Sequence, residues 1–312
     1  HKDISLEAKT GLLFMFAGNG ERLLQNDSLM QALAGHHLGA ACFTGGSSKT
    51  IKTLTRQLNK ERIIPYLFGI QGSRDKFIQM DGLQAVAADN ILGSVTDDGV
   101  YTMLADIYGQ ILKDHNLNLL LNPAFFDKQD RIAELSEGLH NTMRYNYMKF
   151  WKNWQQKHLV GAAGIRYAEK PAAENQHDPQ FSKSQVASLI SSGLGGMVRN
   201  PGSTISRQEV NFFYWLDSLD YQGVVFNSRL LHKEQQVGVD EIVEDLMRGY
   251  DMFVGRQEVF SLQQQVANRA VRDSALRAVI DRKSRKVLQM IYWTNQSLDE
   301  RGAQHFPVNK RL

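Results

Sequence analysis

The chain has a single cysteine, Cys42, in 312 residues. One thiol cannot close an internal disulfide or build a cysteine metal cluster, and its place in an apolar run predicts a buried, inert side chain. It fits a reducing cytoplasm or a disulfide-free exported protein, and of the two the cell envelope or periplasm is the favoured expectation. No stretch approaches the roughly 18 apolar residues of a membrane span. The first ten residues carry no signal-peptide pattern, and a chain opening on His1 reads as a processed or artificial start. Net charge is small, +3 at pH 7, which gives no argument for a nucleic-acid partner. His36-His37 and His115 have no metal-ligand spacing with Cys42 or with each other, so neither a metal nor a cofactor is expected. There is no Gly-x-Ser-x-Gly nucleophile elbow. Low-complexity segments, repeats and domain linkers are also missing.

What is present is ordinary globular composition, 42% apolar and 22% charged, on a chain long enough to bury a large core. Short apolar runs of the kind buried on both faces of a parallel sheet recur at Leu12 to Phe16, Leu38 to Phe43, Ile63 to Ile70, Leu117 to Leu121, Leu159 to Ala163, Gly195 to Val198, Val224 to Phe226 and Met252 to Val254. Helical patterns separate them, at Leu23 to Leu33, Thr50 to Asn59, Thr96 to Asp114, Asp130 to Lys157 (broken in two), Ser182 to Ser192, Arg207 to Leu219 and Asp240 to Arg248. A strongly helical region from Gln257 to about Trp293 closes the chain. Eight strands each followed by a helix predict an α/β fold, a (β/α)8 TIM barrel in one domain over 1–312, with residues 257–312 as closing helices and tail. An open doubly wound sheet is the alternative, but only a fragment of its glycine fingerprint is present, Gly18-Asn19-Gly20. Glu169 to Gln180, with Pro171 and Pro179, reads as a long loop over the top of the barrel.

The order of segments resembles a known family. Lys9-Thr10-Gly11-Leu12-Leu13-Phe14-Met15, Leu38-Gly39-Ala40-Ala41-Cys42-Phe43, Leu54-Thr55-Arg56-Gln57-Leu58 and Ile64-Pro65-Tyr66-Leu67-Phe68-Gly69-Ile70 are similar to the opening of glycoside hydrolase family 3. Leu117 to Pro123, Tyr221 to Phe226, Arg248 to Met252 and Ala278 to Leu288 resemble its fourth, seventh and eighth strands and its closing helix. The resemblance implies a barrel like that of the single-barrel β-N-acetylglucosaminidases of peptidoglycan recycling, and so a bacterial chain.

The residues that would carry the family's chemistry differ. The nucleophilic Asp expected two residues after the seventh-strand Phe matches Ser228. Where a substrate-binding Asp and Glu-Gly-Gly are expected, the chain reads Gln71-Gly72-Ser73-Arg74-Asp75. The fifth-strand Lys-His pair falls near Gly164-Ile165, and the fourth-strand Asp near Phe126, with Asp127 one place beyond. The sixth-strand Ala-His is Arg199-Asn200, and His177-Asp178 is all that matches a loop acid/base pair. A serine at an anomeric centre needs an activating base, and His232, four residues from Ser228, need not meet it.

The strand ends do repeat arginine: Arg166, Arg199, Arg229 and Arg256 follow strands five to eight. With Asn227 they predict a forked surface for an anionic group; pairing with Glu169, Asp178 and Glu258 is the competing reading. The aromatic runs Tyr145 to Trp154 and Phe212 to Trp215 are expected to pack into the core. The expected function is a catalytically inactive, glycosidase-like barrel that binds a partner protein or an anionic glycan. The alternative is a divergent β-N-acetylhexosaminidase working through Asp127, His177 and Asp178.

Overall fold

The computed structural model describes residues 4–60, 62–71, 97–121, 153, 160–164, 195–199, 207–231 and 237–295. Eight parallel strands close into a barrel in sequence order, β1 (Phe14–Gly18), β2 (Ala40–Phe43), β3 (Leu67–Gln71), β4 (Leu119–Leu121), β5 (Val160–Gly164), β6 (Gly196–Arg199), β7 (Val224–Asn227) and β8 (Met252–Gly255). β8 returns to β1 through Phe14↔Phe253 and Met15↔Val254. The (β/α)8 barrel expected from the spacing of apolar runs is the fold observed.

The runs are apolar throughout because both strand faces are covered, by barrel interior on one side and helices on the other. Phe14, Phe43, Phe68, Phe226 and Phe253 are fully buried. Phe14 lies 5.6 Å from Phe253 and Phe43 6.1 Å from Phe68, ring centre to ring centre, so aromatic pairs tie neighbouring strands. Small residues make room for them: a Cβ added at Gly196 would come within 2.8 Å of the Phe226 ring and 2.9 Å of the Ala162 Cβ.

Around the barrel run α1 (Leu6–Gly11), α2 (Gly20–Leu24), α3 (Asp27–Gly35), α4 (Ser48–Asn59), α5 (Asp98–Asp114), α6 (Arg207–Ser218), α7 (Val239–Arg248), α8 (Glu258–Arg272) and α9 (Ser274–Asn295). Several begin where a short polar side chain accepts an otherwise unpaired backbone N–H: Ser5 from Ala8, Asn19 from Arg22, Asn26 from Leu29, Ser47 from Thr50 and Asp97 from Gly99. The closing helical region is two helices, parted at Asp273. Two sequence expectations need correction. The helix expected over Leu23 to Leu33 is two, because Asn26 caps a new one. The strand expected from Ile63 begins only at Leu67; Pro65 has no N–H for a ladder, and Ile63 is fully exposed.

α9 reaches across the N-terminal end of the barrel. Its contacts run from Lys9 of α1 to Asp281 (2.8 Å), through Lys283 to Asp251 (3.0 Å) and Lys286 to the Gly223 carbonyl (3.4 Å), to Asn118 with Thr294 (3.1 Å). Asp251 precedes β8 and Asn118 precedes β4, opposite sides of an eight-stranded ring. No helix among the described residues is long and apolar enough to cross a membrane.

Candidate functional site

The C-terminal ends of barrel strands are where this fold assembles its chemistry. Strand β7 sets the geometry. Asn227 is fully buried and its side-chain amide donates to Asp245 Oδ2 of α7 at 2.9 Å. It therefore points outward, into the helical layer. The ladder continues one residue further, with Ser228 N donating to the Arg199 carbonyl at 3.0 Å. Side chains alternate along a strand, so Phe226 and Ser228 face the interior and Ser228 stands at the mouth. It is 7% exposed. His232 lies outside the described residues.

The same alternation governs the arginines. Arg199 is paired with Asn227 across β6 and β7 and shares its outward direction. Its guanidinium lies over the Phe212 ring of α6, 4.6 Å from the centroid, and its Nη1 is buried with no hydrogen-bond partner. Arg229, 4% exposed, begins a 3-10 turn (Arg229–Leu231). Its backbone N–H donates to Asn227 Oδ1 at 3.0 Å. Its guanidinium lies 3.4 Å from Glu241 and 3.5 Å from Asp245, both on α7. Arg256 is exposed, and its backbone N–H donates to the Glu258 carboxylate at 2.8 Å. The strand ends thus set Arg199 beside Asn227 on the outer face, put Ser228 at the mouth, turn Arg229 toward α7, and leave Arg256 in solvent. Arg166, Asp127, His177 and Asp178 lie outside the described residues.

The sequence reading missed the residue that organises this corner. Asp245 is fully buried and accepts from Asn227, from Arg229 and, at 3.0 Å, from Arg248 Nη1. A carboxylate taken out of water needs such donors to offset its lost hydration. The signal was available: Asp245 sits three residues after Ile242 and beside Leu246 on the apolar face of an amphipathic helix. Glu21 is a second missed group, at the mouth beside β1 and β2. One carboxylate oxygen accepts from Ser47 N at 2.7 Å, and the other is buried without a partner.

The eight strands end on Gly18, Phe43, Gln71, Leu121, Gly164, Arg199, Asn227 and Gly255. None is a carboxylate. No group of three or more His, Cys, Asp and Glu side chains among the described residues could hold a metal ion. The Phe212 to Trp215 expectation is corrected at one position: Phe212 and Phe213 are buried, but Tyr214 is 72% exposed, because a helix turns successive residues away from any one face. The aromatic run Tyr145 to Trp154 lies outside the described residues, apart from Asn153 between its members.

No family model and no curated protein sequence matches the chain. Solved structures do. A β-N-acetylhexosaminidase from Beutenbergia cavernae superposes with a TM-score of 0.71 at 16% identity, over 94% of this chain and 100% of that one. A glycoside hydrolase family 3 β-N-acetylglucosaminidase from a Paenibacillus species superposes with a TM-score of 0.70 at 17% identity, over 93% of this chain but 63% of that longer one. A family 3 glycosyl hydrolase from Mycobacterium smegmatis gives 0.68 at 12% identity, covering 92% and 97%. Identities this low speak for the fold alone. The chain has the eight-stranded barrel of the glycoside hydrolase family 3 enzymes and resembles their β-N-acetylhexosaminidases over most of its length.

Proposed function

We propose that this barrel no longer carries out the family reaction and serves to bind a partner protein or an anionic glycan such as a peptidoglycan fragment. The observation behind this is Ser228, which faces the mouth at the end of β7 where the family places its nucleophilic Asp. Retaining hydrolysis needs a carboxylate nucleophile about 5 to 5.5 Å from an acid/base group, and none of the eight strands ends on a carboxylate. The exposed Arg256 is the described cation that favours an anionic ligand; Arg199, turned into the helical layer over Phe212, would support the strand end from behind. Arg166 joins Arg256 by its place after β5. Arg229, already facing Glu241 and Asp245, would support the loop.

Calorimetric titration with N-acetylmuramic-acid-containing fragments checks this reading. Binding weakened at least tenfold by Arg256→Ala or Arg166→Ala is expected, and binding unchanged in both would remove the anion site. The second reading is a divergent β-N-acetylhexosaminidase using Asp127, His177 and Asp178, and it draws on the names of the solved structures that share the fold. A chromogenic N-acetylglucosaminide separates the two. The first reading expects no turnover; turnover abolished by Asp127→Asn or Asp178→Asn establishes the second.

A further inference from the structure

The barrel end opposite the candidate site has its own surface. Residues 258–295 hold seven basic and three acidic side chains, against a net charge of +3 for the whole chain. Most of the seven are engaged. Arg269 pairs with Asp240, Arg277 donates to the Ala270 and Val271 carbonyls, and Lys283 and Lys286 converge on Asp251. Arg272, Arg282 and Arg285 are exposed and have no partner among the described residues.

Two of these three share one arc of α9. Ala278, Arg282, Arg285, Gln289 and Tyr292 recur at steps of three and four, so they line a single face, the one turned away from Leu276, Ile280, Val287 and Ile291 in the core. Asp281 flanks that arc, where Lys9 engages it at 2.8 Å. Tyr292 is 69% exposed. Because α9 lies across the N-terminal end of the barrel, the arc faces outward from that end. The α4–β3 connection opens onto the same end and presents exposed Lys60 and fully exposed Ile63. Of the acidic side chains at the same end, Asp281 of α9 is paired with Lys9, and Glu7, Asp114 and Asp220 sit on other elements.

We propose that this end of the barrel docks on an anionic lipid bilayer, with Arg282 and Arg285 at the phosphates and Tyr292 and Ile63 at the headgroup boundary. Guanidinium forks match phosphate oxygens, and a phenol with a bare aliphatic side chain suits the interface between headgroups and acyl chains. A nucleic acid is the less favoured occupant. Single strands are held by a cationic groove lined with stacking rings, whereas this arc is the convex side of one helix. The orientation leaves the strand ends, and whatever they bind, facing away from the membrane.

Sedimentation with vesicles tests the proposal independently of any glycan. The intact chain is expected to pellet with phosphatidylcholine–phosphatidylglycerol vesicles at low ionic strength and not with phosphatidylcholine alone. Salt should release it. Arg282→Gln with Arg285→Gln should lower partitioning about 25-fold, at roughly fivefold per basic side chain near the surface, and Tyr292→Ser should lower it further. Both arginines are exposed, so circular dichroism of the double variant should match the parent. The proposal is overturned by no pelleting with the anionic vesicles or by equal pelleting with neutral ones. It is overturned equally by partitioning the double variant leaves unchanged, by release with phosphate but not chloride at equal ionic strength, or by tighter binding to duplex DNA.

Discussion

At the scale of single residues, the strongest interactions surround buried charges the fold has had to accommodate. Asp251 and Lys283 are both buried and lie 3.0 Å apart beneath the barrel. Burial alone would raise the Asp251 pKa, but Lys283, Lys286 and the Val225 N–H more than offset it and hold the carboxyl below its ordinary range. Burial lowers the Lys283 pKa, and Asp251 opposes that only in part. Removing one member strands the other: Asp251→Asn should cost about 3–5 kcal/mol in urea unfolding. Asp251→Asn combined with Lys283→Met should recover much of that loss, since a buried pair replaced by neutral groups is often nearly neutral. Equal destabilisation of single and double variants would contradict this account. His115 is the second such residue. Its Nδ1 must donate to the Ile111 carbonyl, so in the neutral ring Nε2 accepts from the Ser48 hydroxyl at 2.6 Å.

At the scale of elements, two local features set boundaries. Ser47 caps α4 by accepting from Thr50 N at 3.2 Å and donates to the Thr50 hydroxyl at 2.9 Å. Ser47→Ala should lower stability by about 1 kcal/mol. Gly249 ends α7 at a φ of 144°, and a Cβ there would come within 2.3 Å of the Phe213 ring. That ring is itself held edge-on against Tyr250, 4.9 Å between centroids. Gly249→Ala therefore combines backbone strain with overpacking, and a loss of about 1–3 kcal/mol is expected in denaturant unfolding. Element boundaries also mark the limit of sequence reading. Asn26 is a preferred capping residue and Pro65 lacks an N–H, yet the apolar pattern runs on through both. Asp273 is the same kind of signal, accepting from Leu276 N at 2.9 Å to cap α9, within sequence that is helical on both sides.

At the scale of the whole molecule, the pH dependence of stability follows from the same buried groups. Asp251 has a folded pKa below its ordinary 3.8. The folded chain therefore gains from its ionisation above that value, and the gain is lost as the pH falls through the folded pKa. His115 is held below 6.5, first by burial. The unfolded chain then takes up its proton more readily, and stability declines as the pH drops from 6.5 toward the folded value. Denaturant midpoints should thus fall in two stages on acidification, and His115→Gln should remove the first. A midpoint flat from pH 7 to 5 in the parent chain would contradict the burial of His115.

The sequence by itself determined a parallel α/β fold and favoured the barrel, whose closure the β8–β1 pairing then decided. Eight apolar runs too short to be buried helices and too apolar for one-sided strands have few other ways to be covered. It also placed Ser228, Asn227 and the arginines at strand ends, since that depends only on where each run stops. Only the tertiary structure decided which way those side chains turn. The parallel register pairs Arg199 with Asn227, and Asp245 on the following helix draws Asn227 outward, so Arg199 goes to Phe212 and Ser228 to the mouth. A strand pattern of four residues cannot specify its inward phase when both faces are apolar. Asp245 supplied the missing asymmetry from eighteen residues further along the chain.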